Sequence, residues 1–72
     1  MPIELLIDID KQGVPRTISG STSIDKLRIL RAAQLIKADI PAPGVEGDAI
    51  VQDITFEGQS LLQRIKAERD IV

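Results

Sequence analysis

The run from Ile24 to Lys37 contains neither glycine nor proline, and it is followed almost at once by Ile40-Pro41-Ala42-Pro43-Gly44. Leu, Arg, Ala, Lys and Gln are good helix formers. Two prolines and a glycine cannot extend a helix. The contrast predicts a helix over 22–37. The turn cluster Ser19-Gly20-Ser21-Thr22-Ser23 ahead of it supplies hydroxyls as candidate N-caps. Leu27, Leu30 and Ala33 follow one another at three-residue spacing, and Ile24, Arg28, Arg31 and Leu35 form the next stripe. Ile29 and Ile36 fall off both stripes. A helix that is apolar around so much of its circumference is buried on two sides or forms an interface.

Downstream, Glu46-Gly47-Asp48 reads as a turn and Ala49 to Thr55 as a strand. Strand alternation places Ile50, Gln52 and Ile54 on one face, with Val51 and Asp53 on the other. Thr55 suits the N-cap of a last helix from Phe56 to about Arg69, with Leu61, Leu62 and Ile65 as its apolar stripe. Upstream, Ile3 to Gly13 has more than one reading. Ile3, Leu5, Ile7 and Ile9 alternate with Glu4, Asp8 and Asp10, as in a strand. A helix with Pro2 in its first turn and Gly13 just past its end also fits. So does a hairpin that pairs Leu5–Asp10 with Arg16–Ser19. The residues alone lean toward the strand. Arg16 to Gly20 reads as a short strand of a three-stranded sheet in preference to a phosphate-contacting loop.

Seventy-two residues form one domain, 1–72, since a second core cannot be built from so short a chain. The only aromatic residue is one Phe, so the core must be Ile, Leu, Val and Ala. Small cores often need added burial, which makes a homodimer an expectation. Ile29, Ile36, Ile71 and Val72 are the surplus aliphatic residues for that contact. Without cysteine or histidine there are no disulfides, thiolates, imidazole acid–base pairs or zinc sites of the usual kind. Ser60 has no histidine to activate it. The chain reads as a non-enzyme with no cofactor and no metal. Asp8-Ile9-Asp10-Lys11-Gln12-Gly13 imitates the start of a calcium loop, but Ser19 stands where the bidentate glutamate is required. No segment approaches ~20 apolar residues, and the N-terminus is acidic, so a cytoplasmic protein is expected.

Net charge is −2 but unevenly distributed. Residues 21–37 carry +3 from Lys26, Arg28, Arg31 and Lys37 against Asp25, whereas residues 38–58 carry −5 with no base. Lys26, Arg28 and Arg31 are the candidate DNA contacts, because Arg grips phosphates or reads guanine bidentately. Arg16, Thr22 and Ser23 are candidates for further phosphate contacts. The competing reading is a solvated helix face with Asp25 pairing locally. The sequence pI of 4.9 lacks the basic footprint of many nucleic-acid binders.

Leu27–Asp39 resembles the recognition helix of winged-helix regulators, through the run Leu30, Ala33, Leu35 and Ile36. Asp53-Ile54-Thr55-Phe56-Glu57-Gly58, followed by Leu61-Leu62, is similar to the last wing strand of such domains where it leads into the closing helix. Together these cover roughly residues 23–66. The resemblance implies an α+β fold, a small winged-helix-like domain with helices packed on a short antiparallel β-wing, as in bacterial or phage-borne regulators. It also implies a dimeric DNA-binding transcriptional regulator that reads double-stranded DNA through the 22–37 helix. The alternative is a protein–protein interaction or dimerisation module without a nucleic-acid role. The acidic loop favours the alternative and the basic helix favours the regulator.

Overall fold

The computed structural model describes residues 2–70. Six elements follow in chain order: α1 (Ile3–Gln12), β1 (Arg16–Ile18), α2 (Ser21–Ala32), β2 (Ile36–Asp39), β3 (Ala49–Ile54) and α3 (Phe56–Asp70). The strands form one antiparallel sheet in the order β1-β3-β2. The protein is thus a small α+β domain of three helices on a three-stranded antiparallel sheet. One sheet face joins the core through Ile18, Ile36, Ala49, Val51 and Ile54. Leu6 and Ile9 of α1, Ile24, Leu27 and Leu30 of α2, and Leu62 of α3 close over it. The other face, with Thr17, Lys37, Asp39 and Ile50, is exposed. As composition requires, the core is wholly aliphatic, and Phe56 is 83% exposed.

Residues 3–12 are helical, not extended, so the strand and hairpin readings of this segment are overturned. Leu6 and Ile9, three apart on one helical face, are both fully buried. A strand would have placed them on opposite faces. The helix ends at Gly13, whose φ of 88° and N–H bond to the Ile9 carbonyl (2.9 Å) turn the chain toward β1. β1 forms as a short strand, but its partner is β3: Arg16 opposes Val51, and Ile18 opposes Ala49.

The second helix is shorter than the expected 22–37. Its end is a Schellman closure, in which Leu35 N–H donates to Leu30 O (3.0 Å) and Gln34 N–H to Arg31 O (2.9 Å). Gln34 occupies the left-handed position, with φ 61°. Glycine usually takes that position, so nothing in the local composition marks the stop. Ile36 and Lys37 then belong to β2, and Ile36, which had no place on the helix, is a core residue. The expected hydroxyl cap at the start is also absent: Gly20 holds the N-cap position, with no side-chain cap hydrogen bond. Left-handed backbone costs a non-glycine residue ~1–2 kcal/mol, so Gln34→Gly should stabilise the domain by ~0.5–1 kcal/mol after glycine's own entropy loss. Thermal denaturation should register a Tm rise of a few degrees. A fall would mean that the Gln34 side chain contributes more than its backbone strain removes.

β3 departs from simple alternation. Pairing passes from Lys37–Asp53 to Ala38–Val51, leaving Gln52 as the extra residue of a bulge. Ala49 and Val51 therefore face the core with Ile54, while Ile50, Gln52 and Asp53 face outward. This corrects the face assigned to Ile50 and Gln52. The bulged Gln52 amide donates to Asp39 Oδ2 (2.8 Å) on the neighbouring strand.

Thr55 caps α3 as the sequence predicts. Its Oγ1 accepts from Gly58 N–H (3.1 Å) and its hydroxyl donates to Gln34 O (2.7 Å). Its own N–H donates to Leu35 O (3.0 Å), so one threonine joins the end of β3 and the start of α3 to the α2–β2 corner. Leu62 is buried on α3, and Leu61 and Ile65 are half-buried beside it.

Candidate functional site

The basic helix and the long loop 40–48 lie side by side. Arg28 connects them: Nη1 donates to Asp25 Oδ1 (2.6 Å) one turn back, and Nη2 donates to the Pro41 carbonyl (3.0 Å). The loop has its own turn, Val45 N–H to Ala42 O (2.9 Å), with Gly44 at φ 82°. Pro43 and Gly44 hold the two central positions that a type II turn favours. Between the helix and this loop runs an open groove of about 440 Å³. Ile24, Pro41 and Val45 contribute its apolar surface, and Asp25 and Glu46 its acids.

The six residues nominated for DNA contact do not converge on one surface. Arg16 is on β1, where Nη1 forms an ion pair with Asp8 Oδ2 of α1 (2.7 Å). Arg28 is held between Asp25 and Pro41. Lys26 and Arg31 are exposed, but five residues at ~100° each set them about 140° apart around the helix. Thr22 is exposed and Ser23 half-buried in the first turn. The most outward ridge of α2 carries Thr22, Asp25, Ile29 and Ala32, so its charge is acidic and its largest side chain aliphatic.

Exposed apolar side chains mark the surface elsewhere. Ile29 is 51% exposed on α2, Val45 59% in the loop, and Phe56 opens α3. Ile50 and Val14 add smaller exposures. Of the aliphatic residues expected at a dimer contact, Ile29 is at the surface and Ile36 is in the core. Ile71 and Val72 lie outside the described residues. In sequence Phe56 marks only the start of a helix; the structure leaves it at the surface.

Asp8 and Asp10 sit on α1, not in a calcium-type loop, and each faces a cation, Asp8 with Arg16 and Asp10 with Lys66 Nζ (3.2 Å). Among the described residues no group of three or more His, Cys, Asp or Glu could hold a metal ion. No helix there is long and apolar enough to cross a membrane. The hydrogen bond from Arg16 holds the Asp8 carboxyl below its ordinary value of 3.8, with the Arg16 charge, Gln12 and Lys11 adding to it against partial desolvation. A carboxyl whose folded pKa is depressed stabilises the fold above its unfolded pKa and loses that contribution as pH falls through the folded one. Carboxyl chemical shifts should place the Asp8 midpoint below 3.8, and Arg16→Met should return it toward that value. A midpoint unmoved by the substitution would assign the shift to another source.

No protein-family model, curated protein or solved structure matches this chain.

Proposed function

We propose that the protein is a small winged-helix-like binding module whose α2–wing face engages a partner protein. The observation that carries this reading is the engagement of Arg28, the central DNA candidate, with Asp25 and the Pro41 carbonyl. Its Nη2 holds the helix to the wing loop, and its Nη1 is taken by Asp25 of the same helix. Using them on phosphate would release that loop and leave Asp25 facing the nucleic acid. Arg16 is likewise paired with Asp8. Asp39, Glu46, Asp48 and Asp53 follow one another along the wing with no base between them, and acids beside a phosphate backbone oppose the counterion release that drives association. Exposed Ile29 on α2 and Val45 on its loop offer apolar surface to a protein partner.

The sheet order β1-β3-β2, with a helix leading into the β2–β3 hairpin, supports the winged-helix-like reading and keeps DNA binding as the second one. In that reading Lys26 and Arg31 contact phosphate from the two flanks of α2, with Thr22 and Ser23 at its start. Fluorescence anisotropy with a mixed-sequence duplex at ~50 and ~200 mM salt separates the two. Non-specific binders reach Kd values of ~10⁻⁴–10⁻⁶ M at physiological salt and bind more tightly below it. The expected result is no association up to ~100 µM protein at low salt, within that range. Binding that weakens steeply with salt, and that Lys26→Ala with Arg31→Ala reduces, would establish the regulator instead. Sedimentation equilibrium on the same protein distinguishes a second copy of the chain from a foreign partner.

A further inference from the structure

We propose that the free edge of β2 pairs, antiparallel, with the same edge of a second copy of the chain, joining two three-stranded sheets into one. The surface is the sheet edge, not the α2–loop face, and the pairing does not depend on what that face binds.

The order β1-β3-β2 leaves β2 with a neighbouring strand on one side only. An edge strand turns a row of unpaired N–H and C=O groups outward, a template for another strand. Among the described residues the backbone of 36–40 makes no hydrogen bond beyond the β2–β3 ladder. Edges are commonly guarded by charge, proline or brevity. The opposite edge, β1, is guarded: it has three residues, follows Pro15, and its Arg16 is committed to Asp8.

β2 also carries an edge lysine, but Asp39 two residues on reverses its effect. Ile36-Lys37-Ala38-Asp39-Ile40 is self-complementary when laid antiparallel about its centre. With Ala38 opposite Ala38 of the second copy, Lys37 opposes Asp39 and Ile36 opposes Ile40, each pair occurring twice about the two-fold axis. Lys37 and Asp39 share the exposed sheet face, while Ile36, Ala38 and Ile40 pack toward the core, so like surfaces continue across the join. Charge also selects the register. Slipping by two residues sets Lys37 on Lys37 or Asp39 on Asp39. Slipping by one turns the core face of one copy onto the outer face of the other.

Both charges are available for this pairing. Lys37 lies opposite Asp53 in the β2–β3 register, yet among the described residues it makes no ion pair. Asp53 Oδ1 instead accepts from Ile54 N–H (2.8 Å). Asp39 accepts from Gln52 at Oδ2 (2.8 Å), and a carboxylate has capacity for more than one donor. A join of five residues is small, so the association belongs to the weak class that buries less than ~1,200 Å².

Sedimentation velocity between ~10 µM and ~1 mM, the range a weak interface requires, should show a reversible monomer–dimer equilibrium. Over the same range the ¹⁵N-labelled amides of 36–40 should shift with concentration. Lys37→Asp and Asp39→Lys each turn both symmetry-related pairs from attraction to repulsion, and each should weaken self-association about tenfold. An equimolar mixture of the two variants should recover it, because the acids of one then face the lysines of the other. Recovery also shows that both variants are folded. A monomer at every concentration would overturn the proposal. So would a dimer that both variants leave intact, or concentration-dependent shifts confined to other elements, since either puts the contact on another surface. Loss in both variants with no recovery on mixing would overturn the Ala38-centred pairing.

Discussion

Gly58→Ala is expected to lower the melting temperature by ~10–20 °C, although alanine is the better helix former by ~1 kcal/mol. Gly58 is the third residue of α3, where its N–H reaches Thr55 Oγ1. A Cβ added there would overlap the Leu35 carbonyl oxygen and sit 2.7 Å from Ile54 Cγ2. Neither neighbour can yield easily. The Leu35 carbonyl already accepts from Thr55 N–H, and Leu35 N–H is committed to Leu30 O, so the backbone is held from both sides. Ile54 is buried against the core. Overpacking of this kind costs ~1–3 kcal/mol and more where backbone must move. A net loss of ~2–3 kcal/mol is a large fraction of the ~4–11 kcal/mol that ~0.05–0.15 kcal/mol per residue allows a chain of this length. Circular dichroism is the suitable probe, since the chain has no tryptophan. A melting temperature within ~3 °C of the parent would show that the corner has room for a methyl group.

Leu27→Ala should be comparably damaging for the opposite reason. Leu27 is fully buried on α2. Truncation removes its transfer free energy and leaves a cavity, together ~2–5 kcal/mol. Among the described residues the core contains no aromatic ring to move into the space and only eleven other buried side chains to share the loss. Urea denaturation should move to a lower midpoint without a change of slope. Ile29→Ala, two residues on, is the control: Ile29 is half-exposed and should change stability by no more than ~0.5 kcal/mol. If Ile29→Ala proved as costly as Leu27→Ala, the outward face assigned to α2 would be wrong. If it left stability intact and reduced partner binding, Ile29 would join the interface.

The elements whose causes are local were legible. Thr55 marks the start of α3, and Leu27 and Leu30 of the three-residue stripe on α2 are buried, whereas Ala33 of that stripe is exposed and Ile24, placed on the neighbouring stripe, joins them in the core. The end of α2 was not, because Gln34 takes a conformation normally signalled by glycine, and the closing hydrogen bonds run to residues that also pattern as helix. The Gln52 bulge was likewise hidden. A strand read alone keeps period two, and only the pairing with β2 inserts the extra residue.

For the candidate site the same division holds. Arg28 and Asp25 are neighbours along one helix, so their pairing could be read from a spacing of three. The bond from Arg28 to the Pro41 carbonyl spans a strand-bound corner and could not be. By itself, the sequence determined an aliphatic core, a capped last helix, and basic and acidic stretches that differ in charge. These depend on composition and on contacts within a few residues. The tertiary structure alone decided that residues 3–12 are helical, that Ile36 enters the core, and that Arg16 and Arg28 are held by separate partners. Those outcomes depend on which distant backbone and charge arrive alongside, and that is settled only when the sheet and helices close on one another.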